Sequence, residues 1–102
     1  LWQQVRRLLR TFPKHLCLVQ VGCYFEAYNA GAPTLAKALG LKLKPNWRGF
    51  KFSCGFPARF LPKMLDALKS QRMPLVIVRQ TGRELSHTKE RLLDLIVEYP
   101  QG

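Results

Sequence analysis

Residues able to do chemistry gather in one stretch. Val21-Gly22-Cys23-Tyr24-Phe25-Glu26-Ala27-Tyr28 sets aromatic rings at 24, 25 and 28 around one carboxylate, with a thiol just before them. From Leu1 to Leu65, Glu26 is the only acid among eleven Lys or Arg. An acid kept beside aromatics in so basic a field needs a reason. Two answers are open here. Either the rings are core residues of a strand and Glu26 pairs with a nearby Arg, or rings and acid form an exposed recognition edge. Thiol chemistry has little support. Cys17, Cys23 and Cys54 include no C-x-x-C pair, and His15 and His87 are not at zinc spacing. Cys23 and Cys54 are nucleophiles by type, yet neither His has a sequence context that supplies a base. The expectation is three free thiols in a reducing cytoplasm, with no metal, no cofactor and no enzymatic activity.

The charge around that stretch bounds its partners. The chain has 102 residues, a net charge of +11 and a 47% apolar content. Such a field attracts polyanions and speeds encounter with them, so DNA, RNA or an anionic membrane face would each be drawn to it. No apolar run approaches the roughly 18–20 residues that span a bilayer. Arg6, Arg7 and Arg10 break up the start, which argues against a signal peptide. One domain over residues 1–102 is expected, able to bury about 60–70% of its unfolded surface. Because the chain opens on Leu1 rather than Met, it is read as a piece of a longer protein or a stand-alone relative.

Several elements must position the aromatic stretch. Val5, Leu8 and Leu9 recur with Trp2 at helical spacing over Leu1 to Thr11, and Phe12-Pro13 ends that helix. Its arginines read as a solvated face. Leu16 to Val21 reads as a buried strand, and Gly22 permits a bend. Tyr24 to Tyr28 reads as a second strand or a loop. Pro33 opens a helix that Gly40 closes. Leu41 to Lys44 alternates like a strand, Pro45-Asn46 turns, and Phe50-Lys51-Phe52 alternates again. Gly55-Phe56-Pro57 reads as a loop. A helix then runs from Pro62 to about Gln71, with Phe60, Leu61, Met64, Leu65 and Leu68 inward. Leu75 to Val78 is a core strand and Thr81-Gly82-Arg83 a turn. Arg91 to Tyr99 fits either period. The fold class is therefore α/β of the α+β type, a mixed β-sheet flanked by about three helices.

At this point the residues resemble a known family. Val21 to Tyr28 is similar to the Gly-Asp-Phe-Tyr-Glu core, followed by Leu-Phe, of the N-terminal mismatch-recognition domain of the MutS DNA mismatch-repair family. The likeness continues through Ala-Pro-Thr-Leu-Ala-Lys-Ala-Leu-Gly-Leu-Lys-Leu at 32–43. Cys54-Gly55-Phe56-Pro57 stands where the family has Ala-Gly-Val-Pro. Leu75 to Gln80 stands for an apolar strand ending in Glu-Gln, and the resemblance covers about Phe12 to Gln80. It implies a mixed sheet with helices and an aromatic wedge that enters the minor groove at a mismatch. Tyr24 would be the wedge, Glu26 the acid that hydrogen-bonds the mispaired base, and Phe25 a core-facing neighbour. Three departures stand out: Tyr24 for Phe, Cys23 for Asp, and Arg79 for an acid. No G-x-x-x-x-G-K-[ST] phosphate loop is present, so ATP binding would belong to other domains.

The resemblance makes chemical sense of the odd acid. A mispaired step has already lost part of its stacking and pairing, so a rigid flat ring separates it at lower cost than a matched step. A carboxylate brought against phosphates is repelled by them, which taxes binding to ordinary duplex unless a mismatch compensates. Protonated, such a group could donate to a base acceptor. The expected DNA-binding residues are Tyr24, Glu26, Cys54, Gly55, Arg48, Lys51 and Arg59, with Lys42, Lys44 and Arg79 as further phosphate candidates. The expected partner is double-stranded DNA with mismatches, not a membrane, alongside other domains or subunits of a MutS-like protein in the cytoplasm and nucleoid. The alternative is a basic DNA- or RNA-binding or protein-docking module without mismatch preference.

Overall fold

The two longest apolar runs set the middle of the molecule. Leu16-Cys17-Leu18-Val19 and Leu75-Val76-Ile77-Val78 are continuous rather than alternating, as suits strands covered on both faces. The computed structural model describes residues 2–47, 49–85 and 88–99. In it these runs pair in parallel, Leu16 with Leu75 through Val19 with Val78. They belong to β1 (Leu16–Val21) and β5 (Leu75–Glu84). β2 (Tyr24–Tyr28) folds back antiparallel on β1, and β4 (Phe50–Pro57) lies antiparallel on β2. β3 (Lys44–Trp47) and β6 (Lys89–Val97) are the edges of a six-stranded mixed sheet in the order β3-β4-β2-β1-β5-β6.

Helices cover both faces of this sheet. α2 (Gly31–Leu39) and α3 (Leu61–Ser70) put Ala32, Leu35, Leu61 and Leu68 against Leu16, Leu18, Phe25, Ala27, Cys54, Phe56, Leu75 and Ile77. On the other face α1 (Trp2–Thr11) buries Val5 against Val19, Tyr28 and Phe50. Leu8, Leu9 and Phe12 cover Cys17, Val76 and Val78. Arg6, Arg7 and Arg10 are exposed, as the amphipathic spacing implies. Each fully buried Leu or Phe contributes about 1.5–3 kcal/mol over an exposed one, so this two-sided core dominates stability.

Several local expectations are corrected. The strand expected at Leu41 to Lys44 lies later, at Lys44–Trp47, where a turn was expected. Pro45 is tolerated there because β3 is an edge and need not donate to a further strand. Leu41 and Leu43 still pack on the core, outside any strand. Gly55-Phe56-Pro57 is no loop but the end of β4, paired with Glu26, Phe25 and Tyr24. Phe60 is not inward. It sits in a single 3-10 turn before α3, 40% exposed, with the Arg59 guanidinium 4.7 Å from its ring. Thr81-Gly82-Arg83 continues β5, and the ambiguous tail is β6, antiparallel to it. Leu1, Arg48, His87 and the Trp2 side chain lie outside the described residues.

Candidate nucleic-acid interface

The aromatic stretch is the strand of a tight hairpin. Val21 pairs with Tyr24, leaving a two-residue loop, Gly22-Cys23. Gly22 has φ +60, and a glycine with positive φ at the first loop position suits the right-handed twist of the strands. The turn is tied to the neighbouring strand end, since the Ala58 N–H donates to the Cys23 carbonyl at 2.7 Å.

Strand alternation then sorts the side chains. Phe25 and Ala27 are fully buried between the sheet and α2 and α3. Tyr24, Glu26 and Tyr28 point to the face that carries α1. Tyr24 stands at the hairpin end, 51% exposed. Tyr28 is buried at the other end, its ring centroid 4.4 Å from that of Phe50. Its hydroxyl donates to the Glu26 carboxylate, so the half-buried acid is held by a core residue.

Gly55 makes room for this arrangement. It lies opposite Glu26 in the ladder, and a side chain there would collide with the Phe25 carbonyl and the Glu26 stem. Cys54, its neighbour, is not on this surface. It is 1% exposed in the core. Burial pushes its thiol up in pKa, against a lowering by Lys44 and with a further rise from Glu26.

Lys42, Lys44, Lys51 and Arg59 are exposed. Lys44 pairs across from Ser53, and Arg59 follows two residues after Pro57, the ladder partner of Tyr24. Lys51 is fixed by its backbone, whose N–H donates to Asn29 Oδ1 at 2.9 Å. Arg79 is engaged elsewhere. It bonds Asp94 at 2.8 Å and lies 5.5 Å from the Phe25 ring, on the face away from Tyr24. Arg48 lies outside the described residues.

Sequence reasoning missed Gln20, Gln80 and Arg91, all of which touch the hairpin. The available signal was Arg91 itself, a cation opening the apolar run Leu92-Leu93 that had to pack on the sheet. Among the described residues no cluster of His, Cys, Asp or Glu could hold a metal ion, and no helix is long and apolar enough to cross a membrane.

Comparison with known proteins agrees with this arrangement. A family model described as MutS domain I matches residues 1–97. No curated protein matches the chain. A match over that span of a 102-residue chain decides membership: the chain belongs to the MutS domain I family, whose members are DNA-binding modules of mismatch repair.

Proposed function

We propose that this domain senses mismatched or easily deformed base steps in double-stranded DNA. Tyr24 enters the minor groove and stacks on the mispaired base, and Glu26 hydrogen-bonds that base. One observation carries the reading: Tyr24 and Glu26 share a sheet face, with Tyr24 half-exposed, while Phe25 between them is fully buried.

The physics follows from cost. Unstacking a step costs a few kcal/mol, and the kinked duplex regains it by meeting more protein surface. A mispaired step costs less to open, so selectivity comes from deformability more than from base reading. The Tyr24 hydroxyl must find water or a base-edge partner once the ring is inserted. Lys44, Lys51 and Arg59 neutralise phosphates and hold the register. Glu26 opposes binding to ordinary duplex through repulsion, which its bond to a mispaired base offsets. As one domain, residues 1–102 work beside other parts of a MutS-like protein, since the chain has no phosphate loop.

The test compares the affinity of the domain for matched and singly mismatched duplexes at one salt concentration. Tighter binding of the mismatched duplex supports the reading. Equal affinity leaves a basic module without mismatch preference.

A further inference from the structure

The parallel ladder between β1 and β5 ends at Val19 and Val78. Beyond it the two main chains are joined by side chains instead. Gln20 Oε1 accepts from the Gln80 N–H at 2.8 Å. The Arg91 guanidinium, reaching in from β6, donates through Nε to the Gln20 carbonyl at 2.7 Å and through Nη1 to Gln4 Oε1 of α1 at 2.9 Å. With the Gln80 amide turned so that its oxygen faces the donors around it, the orientation the hydrogen-bond network favours, that oxygen accepts from Arg91 Nη2 at 3.1 Å and from the Gly22 N–H at 3.0 Å. Gln20 Nε2 lies 3.5 Å from the Gly22 carbonyl. Gly22 is thus approached at both its N–H and its C=O, two residues before Tyr24.

We infer that Arg91 is a positioning residue for Tyr24, acting through Gln80 to clamp the Gly22-Cys23 turn against the force of opening a base step. This rests on the wedge reading of Tyr24. A wedge does work only if its base does not yield. Tyr24 sits at the pair that closes the two-residue loop, and Gly22 is the most permissive residue of that loop. Charge-assisted bonds are roughly twice as strong as neutral ones, and the planar guanidinium serves three directions at once, which an ammonium on a flexible stem does not. Burial disfavours the charged form of Arg91 and lowers its pKa, against a smaller rise from the charge of Tyr28. The clamp also ties α1, β1, β5 and β6 to one turn.

The experiment pairs Gln80→Met, which keeps shape but loses the oxygen, with Gln80→Glu, which keeps it. Amide exchange at Gly22 is followed by NMR, with Ile77 in β5 as the reference for global opening. The ratio of mismatched to matched duplex affinity is measured on the same proteins. Gln80→Met should speed Gly22 exchange by about tenfold, the loss of one ordinary hydrogen bond, with Ile77 unchanged. It should also lower the mismatch preference, and Gln80→Glu should restore both. In a Tyr24→Ala background Gln80→Met should change the preference no further. Fast Gly22 exchange in the unmodified domain overturns the clamp, and this holds even if Gln80→Met fails to fold. So does an equal loss of preference with and without Tyr24. A mismatch preference that survives Tyr24→Ala removes the wedge, and with it the purpose of the clamp, whatever Gly22 does. A Gly22 amide unprotected while that preference still depends on Tyr24 overturns the clamp alone.

Discussion

Gly55 lies directly across the ladder from Glu26, and a methyl group on it would stand 2.9 Å from the Glu26 Cγ and 2.8 Å from the Phe25 carbonyl oxygen. Both neighbours are fixed, one by the sheet and one by the Tyr28 hydroxyl. The glycine is therefore required by space rather than by backbone conformation. Gly55→Ala should destabilise the domain by about 1–3 kcal/mol, the usual range for overfilling a packed site. It should also weaken the mismatch preference, because Glu26 must move. Urea unfolding and duplex titration check this together. An unchanged unfolding midpoint would contradict it.

Glu26 separates charge from shape. Glu26→Gln keeps an oxygen for the Tyr28 hydroxyl while removing the repulsion from phosphates. It should tighten binding to matched duplex by a few-fold, in the range of about 0.2–1 kcal/mol for partly solvated charges. Mismatched duplex should gain less, so the preference falls. Glu26→Ala should likewise bind matched duplex as well as or better than the unmodified domain. Equal losses on both duplexes would argue that Glu26 only supports the fold.

The exposed cations should act on all sequences alike. Replacing Lys44, Lys51 or Arg59 by Ala should each weaken matched and mismatched duplex to a similar extent. Each true phosphate contact removed should flatten the log–log salt slope by about 0.9. Arg79→Ala should leave that slope unchanged, because its guanidinium is held by Asp94 beside the Phe25 ring. Affinity measured over a range of salt for the four variants decides which cations touch DNA.

The thiols divide by burial. Cys23 is exposed on the hairpin turn, whereas Cys17 and Cys54 are buried. One thiol of the three should react quickly with a disulfide reagent at neutral pH, and bound mismatched duplex should slow it. Burial pushes the Cys17 thiol up to about 11 from the ordinary 9.0. The folded state therefore holds this proton more tightly than the unfolded one. The stabilisation is fully present below pH 9.0 and is lost as pH rises through about 11. Cys17→Ala should lose less stability than the unmodified domain over that window, read from unfolding midpoints at several pH values.

What the residues reveal without coordinates follows the range of the forces involved. The runs at Leu16 and Leu75, the glycine that closes α2 and the proline that opens α3 act locally, and each stands where its chemistry puts it. Phe25 as a core-facing neighbour of Tyr24 is likewise as expected. Pairing is not local. Gly55-Phe56-Pro57 has loop composition, yet β2 supplies a partner for each of its residues and draws it into the sheet. Pro45 escapes its usual role as a turn former because β3 has no outer neighbour among the described residues. Phe60 follows helical spacing, but the 3-10 turn before α3 rotates it outward. Arg91 and Gln20 are 71 positions apart, and nothing in either stretch announces that they meet. Cys54 was grouped with Gly55 by motif, but alternation along β4 sends its side chain into the core.

The central claim is that the Tyr24 ring does the sensing. Its most direct test is the ratio of matched to mismatched dissociation constants for the unmodified domain, Tyr24→Phe and Tyr24→Ala, at one salt concentration. Stacking of a base on an aromatic side chain is worth about 1–3 kcal/mol by alanine substitution, so Tyr24→Ala should cut the ratio by about tenfold or more. Tyr24→Phe should keep it, since ring and shape are retained. A ratio that stays the same in Tyr24→Ala, with the protein still folded, would contradict the account.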